Sequence, residues 1–109
     1  MNIEEIKLKL AEFRASDKFK VYVDYQPAVE NSTKEDVDLI NGIFNKIAGE
    51  LIQSLDTGAI NEQELKNILL QAPDIIENEQ LDTEDFEFCY ELIIILSKIV
   101  DVDIEDELD

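Results

Sequence analysis

Residues 83–100 read TEDFEFCYELIIILSKIV, and the period of this stretch decides the fold. Of the fifteen residues from Phe86 to Val100, eleven are apolar or aromatic. At about 100° per residue, Glu84, Glu87, Glu91 and Lys98 fall within one stripe roughly 60° wide, and from Phe86 onward Ser97 is the one polar residue off that stripe. A helix that is apolar on nearly every other side has to be covered on those sides. The sequence therefore predicts a mainly α protein: a small four- to five-helix bundle around a buried C-terminal helix over residues 83–100, in a single domain spanning 1–109.

Working outward, the chain is long enough to bury a core without cross-links, and its single cysteine, Cys89, forms no internal disulfide. On the apolar side of the central helix, Cys89 is expected to act as a small hydrophobe. No basic start followed by an apolar run appears, and the longest uninterrupted apolar run is Leu92 to Leu96. A signal peptide and a membrane span are thus unsupported, and a cytoplasmic location is expected.

The remaining segments supply the wrapping. Ile3, Ile6, Leu10 and Phe13 recur at helical spacing and predict a first helix over about residues 2–15. Phe19, Val21, Val23 and Tyr25 alternate with Lys20, Tyr22 and Asp24, the period of a strand with one buried face. The one segment of like period is Val100, Val102 and Ile104. The sequence leaves open a short two-stranded element (19–25 with 100–104) and an extended connector. Ser32 to Glu35 reads as a capping box in which Ser32 accepts from first-turn amides. The long helix it opens runs to about Leu55, with Val37, Ile40, Ile43, Phe44, Ile47, Leu51 and Leu55 on one face. Gly42 and Gly49 share the opposite face. Gly58 suits a left-handed stop, Asn61 caps a third helix, and Pro73 suggests a boundary before a second short helical piece around Ile75 and Ile76. The carboxylate-rich tail from Asp101 onward is expected to fray.

Charge is the compositional extreme: 27 acidic residues against nine basic ones and no histidine, a formal net charge of −18. Residues 67–109 hold fourteen acidic side chains and one basic one, Lys98. Such a field repels nucleic acid and anionic lipid and speeds association with a basic partner. Glu84, Glu87 and Glu91 form one exposed line on the central helix, with Asp82, Glu77 and Glu79 near its start. Like charges one turn apart repel by a few tenths of a kcal/mol per pair, which a cationic partner would relieve. These six residues are the candidate partner-binding face.

Other chemistry has less behind it. Residues 53–64, QSLDTGAINEQE, echo a calcium-binding EF-hand loop at Gly58, Ile60 and Glu64. The first, third and fifth positions are Gln53, Leu55 and Thr57, however, with no carboxylate among them. Zinc would find one thiol and no imidazole, nucleophilic catalysis lacks its usual histidine base, and no glycine-rich phosphate loop occurs. No catalytic residue, metal or cofactor is assigned.

The segment Leu81 to Glu91, LDTEDFEFCYE, with FKVYVDYQP (19–27) and the two helices between, resembles an uncharacterised bacterial family of small acidic helical proteins, a domain of unknown function. The resemblance is carried by Leu81, Asp82, Thr83, Glu84 and Asp85 opening a helix, with Cys89 and Tyr90 a turn later. Where that family continues with a glycine-rich, aromatic segment, this chain ends in acidic residues. The resemblance implies a free-standing bacterial domain and no particular reaction. The expectation is a non-enzymatic acidic domain, immunity- or inhibitor-like, docking on a basic protein partner. A DNA mimic is the alternative, with a carboxylate or Mg²⁺-dependent enzyme behind both. Such an enzyme would show a concave pocket in which carboxyls have raised pKa values.

Overall fold

A computed structural model of the protein describes residues 2–107. Among the described residues the chain forms five α-helices: α1 (Ile3–Ala15), α2 (Lys18–Val21), α3 (Lys34–Leu55), α4 (Glu62–Glu77) and α5 (Thr83–Ile99). Short 3-10 turns cover Val23–Tyr25, Pro27–Asn31 and Glu105–Glu107. No strand occurs among the described residues, so the protein is mainly α.

The helices α1, α3 and α4 each start where a short polar side chain takes up an orphan amide, whereas the Asp82 side chain before α5 makes no such bond. Asn2 accepts from the Glu5 amide at 2.8 Å and Asn61 from the Glu64 amide at 3.1 Å. At α3 the cap is one residue later than expected. Thr33 accepts from the Asp36 amide at 3.2 Å, and Ser32 instead donates its hydroxyl to the Asp85 carboxylate on α5. A long-range acceptor has taken the hydroxyl that the local pattern assigned to capping.

α3, the longest helix, packs against α1, α4 and α5. Its Ile40, Phe44, Ile47, Ala48, Leu51 and Leu55 meet Ile6, Leu10 and Phe13 of α1 and Leu65, Leu69 and Ile76 of α4 in one apolar core. α5 contributes Phe88, Cys89, Leu92, Ile93 and Leu96. Its other apolar residues are less covered: Phe86, Tyr90, Ile94, Ile95 and Ile99 are half-buried. The helix over 83–99 thus has a packed side and a partly open side. It packs against α1, α3, α4 and the 27–31 turn, and Phe19 of α2 also reaches it.

Three further expectations are corrected. The alternating segment 19–25 coils into α2 and a 3-10 turn, and residues 100–104 offer it no pairing, so the two-stranded element is absent. α2 is held by the Asp17 carboxylate, which accepts from the Phe19 amide at 3.1 Å, and Phe19 packs on Phe88 with ring centroids 4.8 Å apart. Pro73 sits inside a continuous α4, which gives up one backbone bond there and runs on to Glu77.

The tail, finally, is packed over its described part. Asp101 adopts a left-handed φ of 59°. The Val102 amide then bonds to the Ser97 carbonyl at 2.9 Å and the Asp101 amide to that of Lys98 at 3.3 Å. This is the paired-bond helix stop usually built on glycine. It turns the chain so that Val102 and Ile104 enter the core, and Lys66 of α4 pairs with Glu107 at 2.7 Å. Gly58 takes the left-handed stop expected of it, at φ 84°. Gly42 faces open space and Gly49 faces the Arg14 side chain, so no second backbone approaches the α3 glycines.

Candidate functional site

Four of the six acidic residues picked out on and before α5 divide between two hollows. Asp82 and Glu84 line a notch of about 260 Å³ with Asn31, Ser32 and Asp85. Glu87 and Glu91 line a groove of about 500 Å³ with Tyr25, Gln26, Phe86 and Tyr90. Asp82, Glu84, Glu87, Glu77 and Glu79 are exposed, and Glu91 is half-buried. Glu77, at the end of α4, lies against Tyr90. Glu79 lies in the following loop and lines neither hollow.

The notch is built where the 27–31 turn and the start of α3 meet the start of α5. Asp85 is 2% exposed. Burial raises the pKa of its carboxyl, the Ser32 hydroxyl lowers it, and Asp36 and then Asp82 raise it again. One carboxylate oxygen from each of Asp36, Asp82 and Asp85 lies within 4.8 Å of the others. Three carboxylates this close can share a proton or hold a divalent cation. The sequence assigned no metal here, because Asp36 is distant in sequence from Asp82 and Asp85 and the spacing follows no ligand motif.

The groove has a different character. Phe86 and Tyr90, one turn apart on the open side of α5, have ring centroids 5.1 Å apart at 47°. Across from them Tyr25 is 58% exposed, and the Gln26 side-chain amide donates to Glu87 Oε2. The Tyr90 hydroxyl has its pKa raised first by burial, then by the charge and hydrogen bond of Glu77 and by Asp74. Aromatic surface and negative charge therefore converge on one wall. The α5 half was visible as Phe86 and Tyr90 beside the acidic stripe. Tyr25 and Gln26 were not, since nothing local ties them to a helix 61 residues later.

A third polar feature lies away from both hollows. Lys18 is fully buried, with its ammonium 4.8 Å from the centre of the Phe13 ring. It donates to the Arg14 carbonyl at 3.3 Å, to the Ser16 carbonyl at 3.0 Å and to Asn45 Oδ1. An ammonium has three protons, and each has an acceptor here. Burial pushes its pKa down to about 8, against the opposing pull of Asp17. This is a structural clasp between α1 and α3, on a lysine that no local pattern in the sequence singles out. Cys89 is equally buried, and burial, with a smaller effect of Asp85, pushes its thiol up to about 12. It is inert as a nucleophile at neutral pH.

No helix among the described residues is long and apolar enough to cross a membrane. No curated protein and no solved structure matches the chain. Its sequence does match, over residues 1–108, the family described as domain of unknown function (DUF4844), and the chain belongs to that family.

Proposed function

We propose that this is a cytoplasmic, non-enzymatic binding domain whose acidic α5 face docks on a basic protein partner, in the manner of an immunity protein or inhibitor. The observation that carries the reading is the open side of α5. Exposed Glu84 and Glu87 and half-buried Glu91 stand beside half-buried Phe86 and Tyr90, in a region whose single basic residue is Lys98. Interfaces join partly covered aromatics to a charged rim in this way, with the charge setting encounter rate and specificity. The test is capture of a partner from lysate at low salt and again near 0.5 M, where screening contracts to a few ångströms. Capture that weakens with salt, and a loss of capture in Glu87→Lys/Glu91→Lys, support it. Capture indifferent to salt removes it, and competition by duplex DNA for the captured partner would move the reading to DNA mimicry.

A second reading has one observation in its favour, the raised carboxyl of Asp85 in the notch beside Asp36 and Asp82. A Mg²⁺-dependent activity seated there predicts that millimolar Mg²⁺ shifts the amide resonances of residues 31–36 and 82–86. Their indifference to Mg²⁺ removes it.

A further inference from the structure

We propose that the groove between Tyr25 and α5 receives an arginine side chain presented by an extended segment of the basic partner. The inference rests on the docking reading above and names the chemistry of what is docked. At about 500 Å³ the groove falls within the range of ordinary ligand sites. Its walls combine the two things a guanidinium uses and an ammonium uses less well. Phe86, Tyr90 and Tyr25 line it with aromatic rings, the kind of surface on which a planar cation stacks. Glu87 and Glu91 offer carboxylates for the paired N–H donors of the fork. Glu87 is already oriented, because Gln26 engages its Oε2, and a carboxylate retains further lone pairs beyond that one.

Other occupants fit less well. An apolar side chain would desolvate Glu87 and Glu91 without a counter-charge. A second copy of this chain would bring another net charge of −18 to the same face. Nucleic acid is repelled by the same field. Glu77 and Asp74, whose charges act on Tyr90, extend the negative wall toward the end of α4, so a segment with further basic residues has somewhere to run.

The experiment titrates the isotope-labelled full chain with two acetylated, amidated hexapeptides of equal charge, one arginine-rich and one lysine-rich, at low and high salt. The arginine peptide is expected to bind about five- to tenfold more tightly, shifting the amides of Tyr25, Gln26, Glu87 and Tyr90. Tyr90→Leu should abolish that preference while leaving salt-dependent binding of both peptides. Tyr25→Ala, at a 58% exposed position where folding is not at stake, should reduce it about threefold. Equal affinities in the native chain, or a preference that survives both substitutions, overturn the arginine groove. If both peptides still bind in a salt-dependent way, the docking face stands without it. If neither peptide binds at low salt, both readings fall.

Discussion

Lys18 and Asp85 are both buried and ionisable, and burial disfavours the charge of each, yet the fold supplies them with very different sets of partners. Lys18 has three acceptors for three protons, all from the α1 end and α3. Asp85 has one donor, the Ser32 hydroxyl, and is otherwise crowded by Asp36 and Asp82. The first is a charge whose hydrogen bonds are complete and whose removal leaves acceptors empty. The second is a charge left with a single donor among like charges. Burial alone does not reveal which kind a residue is; the inventory of donors and acceptors around it does.

The largest expected effect breaks the Lys18 side of this contrast. Lys18→Met keeps the stem on Phe13 but empties three acceptors, and should lower unfolding stability by about 2–3 kcal/mol in urea denaturation. Asn45→Ala removes one acceptor and leaves the ammonium partly unsatisfied, with an expected loss of about 1–2 kcal/mol. If Lys18→Met is neutral, the clasp is not structural.

The pH dependence then sharpens the contrast by sign. The folded chain releases the Lys18 proton near pH 8 and the unfolded chain near 10.5. Between those values the unfolded chain binds more protons, so this residue makes stability rise with pH across that window. The gain should be of order 1 kcal/mol, read as native minus Lys18→Met between pH 8 and 10 so that general repulsion cancels. Asp85 acts in the other direction. Its folded carboxyl holds a proton to higher pH than the unfolded one, whose ordinary value is 3.8. The folded chain therefore binds more protons between the two, and the residue's destabilising contribution fades as pH falls from neutral through the raised value. Asp85→Asn should be at least as stable as the native chain at pH 7, and the native chain should close that gap as pH falls toward the ordinary carboxylate range. A clear loss of stability in Asp85→Asn at pH 7 would show that the carboxylate is wanted as an anion, by a cation or by a partner.

The smallest effect concerns backbone strain at an acidic residue. Asp101 holds a left-handed conformation that disfavours any side chain, so Asp101→Gly should raise stability by about 0.5–1 kcal/mol. Exposure of Val102 and Ile104 in that variant, read by hydrogen exchange, would show instead that the Asp101 side chain helps hold the turn.

Much of the helical framework was legible from residues near one another in the chain. The periodicity of Ile6, Leu10 and Phe13, the Asn61 cap, the Gly58 stop and the acidic stripe of α5 all depend on neighbours within a turn or two. The failures share a different cause. The alternation of Phe19, Val21, Val23 and Tyr25 specifies a strand only if another strand accepts it. Here none does, and a two-strand pair would be marginal in any case. Ser32 was read as a cap because its partner on α5 is 53 residues away. The tail was read as frayed because it is dense in carboxylates, although a left-handed Asp101 delivers Val102 and Ile104 to the core.

The same division holds for the candidate site. The order of the residues settled by itself that the protein is helical, acidic and negatively charged along α5, because hydrophobic period, capping and net charge are local or summed properties. Only the tertiary structure brought Tyr25 and Gln26 to Glu87, Ser32 and Asp36 to Asp85, and Asn45 to Lys18. Those meetings depend on which elements pack against which, and packing is decided by the whole core at once.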